Sequence, residues 1–270
     1  PRVPRGMSVA AGARPASHSP GSRTSSRKAP ARPRSSAAAG SMEGTESVAM
    51  AGTVVGHLAS QPVDLGATGI WTFQLDLQPA AAAIDAVREL ESLGYGAIWL
   101  PEAVGKEPLT HAAVLLGGTD RIALATGIVG IWGRDAMTAA AGQRTLCEAY
   151  PGRFLLGLGV SHGPMVEGMR GQRYERPLEK MRAYLDAMDR AIYAAAQPAS
   201  TPRVLAALGP RMLALAAERA EGAHPYFVPP EHTVLARHAL GPDRLLAVEQ
   251  AVVLERDAAR AREVARAHMA

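Results

Sequence analysis

From about Leu65 onward the chain alternates two textures: short runs of contiguous apolar residues, and longer stretches whose apolar residues recur three and four apart. Contiguous apolar runs suit strands covered on both faces, and the helical stretches between them supply the cover. The alternation therefore predicts a parallel sheet in an α/β fold. Seven strands are read: 69–73, 97–100, 121–126, 154–160, 204–208, 224–228 and 245–254. Pro79 opens a first helix with Ile84, Val87 and Leu90 on one face, and Gly94 ends it. Asp135 caps a helix that runs to Tyr150, placing Ala139, Ala140, Gln143, Leu146 and Cys147 on one side. Leu178, Met181, Leu185, Met188 and Ile192 mark a longer helix, and further helices are read at 211–220 and 257–270. Periodicity alone leaves a closed barrel and a doubly wound sheet both open.

Charge separates a leader from the rest. Residues 1–60 carry eight Lys and Arg against two Glu, whereas the remaining 210 carry 21 against 23. The net charge of +4 thus belongs to the leader, and the folded part has no basic excess to attract nucleic acid. That leader is rich in Arg, Ser, Ala and Pro and poor in large apolar residues, so residues 1–60 are expected to be disordered and 61–270 to form the domain. A transit-type targeting role is the alternative for it. No run of 18 apolar residues provides a membrane span, and the single cysteine, Cys147, allows no internal disulfide. A cytoplasmic setting is expected.

Strand ends are where barrels of this class place their chemistry. Gly209-Pro210-Arg211 follows a strand and opens a helix, an arrangement that can surround a phosphate with N–H groups and serves equally as an ordinary strand-to-helix turn. Gly157 and Gly159 inside one strand mark a close approach, either by a flat ring or by a neighbouring helix. Glu102 at a strand end could accept from a ring N–H or act as a base, and His162 could exchange a proton near neutrality. Each has a plain structural alternative, as has His224. The eight histidines show no metal-ligand spacing, so no metal is expected.

Four segments, taken in order, resemble the luciferase-like superfamily and, within it, oxidoreductases that use the deazaflavin coenzyme F420. They are Leu93–Ala103, Leu124–Ile128, Tyr150–His162, and Gly209-Pro210 leading into Ala220–Tyr226. The resemblance covers about residues 65–270 and implies a (β/α)₈ TIM barrel with the cofactor ring at its C-terminal mouth. Since an eighth strand is not read, the barrel is expected to be incomplete at its C-terminus. By motif position the resemblance implies a non-proline cis peptide at Gly127-Ile128. It also implies that Gly127 and Ile128 lie against the ring and that Glu102, Ser161, Gly209 and Pro210 contact the ring or phosphate; Phe73, at a strand end, and Arg211, beside the Gly-Pro turn, join them as cofactor-binding candidates.

The activity so implied is hydride transfer between coenzyme F420 and a small organic substrate. His162 and Glu102 are its candidate catalytic residues, and His224 and Tyr226 its candidate substrate contacts. An FMN-dependent monooxygenase and a non-catalytic truncated barrel are the alternatives. Ala103 stands where the sugar-phosphate dehydrogenases of the group have a histidine, which argues against that substrate, and His162 stands where some relatives place a glutamate. A homodimer is implied by resemblance alone.

Overall fold

The computed structural model describes residues 63–269, and the expected leader lies outside them. Strands β1 (Gly69–Trp71), β2 (Ala97–Leu100), β3 (Ala123–Thr126), β4 (Val129–Gly130), β5 (Phe154–Gly159), β6 (Arg203–Leu205), β7 (Gly222–Ala223) and β8 (Leu245–Leu246) form one parallel sheet. Its order is β1-β2-β3-β5-β6-β7-β8, with β4 also paired to β5. β1 and β8 are its two edges, so among the described residues the sheet curls without closing. Helices α1 (Ala80–Ser92), α2 (Pro108–Gly117), α3 (Ala136–Ala149), α4 (Pro177–Asp189), α5 (Pro210–Arg219), α6 (Pro230–Leu240) and α7 (Ala258–Met269) complete the chain, with one turn of π-helix at Pro164–Met169.

Strand alternation sorts the core into two layers. Ala97, Trp99, Ala123, Ala125, Leu155 and Val204 face the inside of the curl, where Trp71 and Leu245 join them. Their neighbours Ile98, Leu100, Leu124, Phe154, Leu156, Leu158 and Leu205 face outward and pack with the helices. Each strand is thus buried on both sides, which is what its contiguous apolar run encodes.

Asp135 caps α3 as predicted, its carboxylate accepting the Thr138 N–H at 2.9 Å. Helices α2 and α6 were not anticipated. Each begins with proline at its first position, and Gly241 ends α6, which were the available signals.

The strands read at 69–73, 121–126, 154–160 and 204–208 differ from the observed spans by one to three residues at an end, and two strands differ more. β7 lies at Gly222–Ala223, ahead of the predicted 224–228. The His224 N–H still donates to Leu205 O at 2.9 Å, but Pro225 has no donor to continue the ladder. β8 covers only two residues of the predicted 245–254, and Val252 and Leu254 are exposed. Apolar texture there marks a loop, because no neighbouring strand pairs with it among the described residues.

β3 and β4 are two parts of one strand interrupted at the Gly127-Ile128 peptide, which is cis. Against β5, Ala125 pairs with Leu155 and Val129 with Leu158, so three residues face two and the strand bulges. The Thr126 hydroxyl repairs the broken ladder: it accepts from Gly157 N and donates to Gly157 O, both at 2.8 Å.

Candidate active site

Because every strand runs the same way, the loops after β1, β2, β4, β5, β6 and β7 gather at one end of the sheet. The bulge aims Ile128 inward, and its side chain occupies the space where a Cβ on Gly159 would stand. A Cβ on Gly157 would collide with the Thr126 carbonyl. Both glycines are therefore required by the adjoining strand. The close approach comes from the adjoining strand, not from the helix expected as the alternative to a ring.

Trp71 supports the other side of the bulge. Its indole N–H donates to Gly127 O at 2.6 Å, and its ring leaves no room for a side chain on Gly127. Trp71 also meets Phe73 edge-on at 4.9 Å between ring centroids and Tyr226 at 5.2 Å. Phe73, Gly127, Ile128 and Tyr226 are thereby brought together, with Trp71 at their centre. The sequence reading placed Trp71 in a strand and assigned it no site role; a tryptophan facing inward at a strand end was the signal for one.

His224 is only 3% exposed, at the floor of this bowl. Its ring stacks on Trp99 with centroids 4.3 Å apart and planes 16° from parallel. Nδ1 lies 2.8 Å from Ala247 O; since a carbonyl only accepts, Nδ1 carries the proton and Nε2 the lone pair. Nε2 has no partner and lies against Gly127. Burial, only partly opposed by the Ala247 contact, pulls the imidazole pKa down to about 4, so the ring is neutral. His224 packs beneath the surface offered to a ligand, whereas Tyr226 stands in it.

Glu102 follows β2, and its side chain is 9% exposed. One carboxylate oxygen receives Arg134 and Arg170, each at 3.0 Å; the other receives Gly130 N at 2.6 Å and Arg134 at 3.2 Å. Four donors occupy the four lone-pair positions, leaving neither oxygen for a proton relay. Gly133 makes this possible, since a side chain there would meet the Arg170 guanidinium at 2.8 Å. Arg134 and Arg170 come from distant segments, and nothing local in the sequence pairs them with Glu102.

The segment after β5 is fastened to the same hub. Gln172 Nε2 donates to Trp132 O at 2.7 Å and the Tyr174 hydroxyl to Ser161 O at 3.2 Å. Ser161 has a left-handed backbone, φ 55°. His162 next to it is exposed, with no side-chain hydrogen bond among the described residues. Gly209 caps α5 with open space around its Cα, and Pro210 and Arg211 are exposed beside it. Among the described residues neither Gly209 N–H nor Arg211 N–H has an acceptor, so both are available to an anion.

Two charged groups lie apart. Beside the β1 loop, His111 Nδ1 is 3.3 Å from Asp76, and Lys106 donates to Leu75 O and Gln78 O. Burial and then Lys106 hold His111 below the usual histidine range, against the pull of Asp76. At the amino ends of β6 to β8, a cavity of about 360 Å³ is lined by Asp189, Arg203, Arg219, Glu221 and Arg244, far along the strands from the bowl. No group of three His, Cys, Asp or Glu gathers as metal ligands among the described residues, and no helix there is long and apolar enough to cross a membrane.

The luciferase-like monooxygenase family model matches residues 51–270. The chain belongs to that family. A Mycobacterium tuberculosis relative, provisionally named as a coenzyme F420-dependent oxidoreductase, is 30% identical over 185 residues, covering 57% of this chain and 53% of its own. The chain thus spans about half the length of the curated relative it matches.

Among solved structures of this fold, an F420-dependent secondary alcohol dehydrogenase with an F420-acetone adduct superposes with TM-score 0.64 at 14% identity, covering 73% of this chain and 72% of the other. The F420-dependent tetrahydromethanopterin reductase of Methanopyrus kandleri gives 0.58 at 16%, covering 74% and 69%. The FMN complex of a type II Baeyer-Villiger monooxygenase from Pseudomonas putida gives 0.57 at 16%, covering 74% and 71%. At these identities the likeness is one of fold: this luciferase-like chain has the TIM-barrel architecture of that family, with seven strand positions in its open sheet.

Proposed function

We propose that the protein is an oxidoreductase that uses coenzyme F420 and acts on a small organic substrate. The observation that carries this reading is the 30% identity to the M. tuberculosis relative provisionally named as an F420-dependent oxidoreductase, on a chain whose strand ends form the bowl described above.

The residues present fit such a cofactor. The Gly127-Ile128 peptide, held by Trp71, offers a flat backbone surface against which a planar ring can rest. The unsatisfied N–H groups of Gly209 and Arg211, with the Arg211 guanidinium and no Cβ at Gly209, would hold the phosphate. When bound, the deazaflavin supplies hydride transfer at its ring carbon C5. Ser161 borders the ring position, and Phe73 and Tyr226, joined through Trp71, face the substrate. His162, exposed and without a side-chain hydrogen bond among the described residues, would exchange the substrate proton. Glu102 keeps the loops of the mouth in place through its four N–H contacts, and His224 supports the floor.

FMN is the second reading, because the FMN-bound monooxygenase superposes almost as well as the F420 enzymes. Equilibrium titration of the purified chain with F420 and with FMN tests both. F420 binding at micromolar concentration, weakened about tenfold by Arg211→Ala, is the expected result. Preferential FMN binding would replace the first reading by the second, and binding of neither would end both.

A further inference from the structure

The chain is poor in aromatic residues, with three Trp, six Tyr and three Phe in 270. Yet every aromatic side chain that is exposed among the described residues lies on one short arc of the mouth: Phe73 at 40%, Tyr226 at 46% and Phe227 at 44%. Buried aromatics elsewhere fill the core; these three do not. They are joined into one surface through Trp71, with Trp71 to Phe73 at 4.9 Å, Trp71 to Tyr226 at 5.2 Å and Tyr226 to Phe227 at 6.2 Å. The tilted, edge-on geometry leaves ring faces and edges open to a further ring, and an exposed contiguous apolar patch of this kind marks a place where something binds.

Charge narrows the occupant. Glu249 closes one end of the arc, accepting Phe227 N–H at 2.9 Å. Burial and then Glu249 hold the Tyr226 hydroxyl above its ordinary range. Of the cations the site holds, Arg134 and Arg170 are committed to Glu102, and Arg211 belongs to the anion position beside Gly209. An anionic ligand on the arc would meet a carboxylate with no compensating charge from these groups.

We infer that the arc of Trp71, Phe73, Tyr226 and Phe227 is a subsite for a neutral, ring-bearing organic molecule, the substrate of the reaction proposed above. This rests on that reading for the word substrate, and on the arc alone for binding. Phosphorylated sugars and organic acids are disfavoured there; an aromatic or alicyclic ketone or alcohol matches its chemistry.

The test uses the neutral fluorescent naphthyl ketone Prodan with the full chain, in the absence of cofactor. Phe73→Ala and Tyr226→Ala alter exposed side chains and leave the circular dichroism spectrum unchanged, and each weakens Prodan binding about tenfold. Ile192→Ser, which removes a still more exposed apolar residue outside the mouth, leaves Prodan binding unchanged. A glucose phosphate does not compete.

The inference is overturned if the two arc variants bind Prodan as the parent does, or if Ile192→Ser weakens it as much. It is also overturned if the arc proves to be covered by a second copy, seen as a dimer that Tyr226→Ala dissociates. F420 titration of the same samples separates the two readings. F420 binding without Prodan binding removes the subsite alone; Prodan binding without F420 binding removes the redox reading and leaves the subsite.

Discussion

On one side of the mouth, the loops that follow β2, β4 and β5 are joined by charge: Glu102 gathers Gly130, Arg134 and Arg170, and Gln172 and Tyr174 tie the next turn down. Across the bowl, the loops that follow β1 and β7 meet each other through ring contacts among Trp71, Phe73 and Tyr226. The difference is one of satisfaction. On the charged side Glu102 and its two arginines are paired inside the protein, and His162 is the polar side chain left over for a ligand. On the aromatic side apolar area remains uncovered, and the N–H groups at Gly209 and Arg211 remain unpaired. A scaffold that fixes one wall and leaves the other unsatisfied is what a binding bowl requires.

The largest effect expected from breaking this contrast lies at Glu102. Glu102→Ala leaves Arg134 and Arg170 facing one another without their shared carboxylate, at a hub that is largely buried. Removing one partner of a buried ion pair costs about 3–5 kcal/mol. Urea denaturation should show a loss of that order, with Glu102→Gln losing less because it still accepts from Gly130 N. A loss below about 1 kcal/mol would mean that the charged side is no firmer than an exposed ion pair.

The contrast also explains what the sequence could and could not disclose. Strand and helix alternation was legible because Ile98, Leu124, Phe154 and Leu156 are buried for local reasons, each by its place in a contiguous run. The cis peptide position was legible by resemblance, as the Leu124–Ile128 segment carries it. The hub was not, because Arg170 reaches Glu102 across 68 positions and no spacing rule connects them. The sequence therefore leaves Glu102 open between ring contact, base and structural residue, whereas in the fold both its oxygens are occupied. The aromatic arc was half legible: Phe73 and Tyr226 were named singly, but only folding shows that Trp71 joins them. β7 was misplaced because apolar texture continues through Pro225 to Val228, although the proline cannot donate to a ladder.

His224 lies under both sides, and its titration measures how well the floor excludes charge. Its folded-state pKa, about 4, is below the ordinary histidine value of 6.5. The unfolded chain therefore binds the extra proton first as pH falls. The stability contributed by keeping the ring neutral is complete above pH 6.5 and is lost progressively down to about pH 4. The full loss is about 3 kcal/mol, from the size of the depression. His224→Leu removes the titrating ring, so its stability should fall less steeply than the parent's across that window. Parallel curves for the two proteins would show that water reaches the floor and that the bowl is less enclosed than its packing implies.

The smallest expected effect on the fold is the most informative about the aromatic side. Phe227 adopts a left-handed backbone, φ 51°, which costs an L-residue about 1–2 kcal/mol and glycine nearly nothing. Phe227→Gly gives up the ring's contacts with Tyr226 and His268, at 6.2 and 6.3 Å, but relieves that conformation. The two effects oppose each other, so the denaturation midpoint should shift by no more than about 1 kcal/mol in equivalent free energy. A residue kept in an unfavourable conformation, half exposed, and dispensable for stability owes its place to what it presents outward. If the substitution instead unfolds the protein, Phe227 is a core residue of the loop after β7, and the two sides of the mouth differ less than their contacts imply.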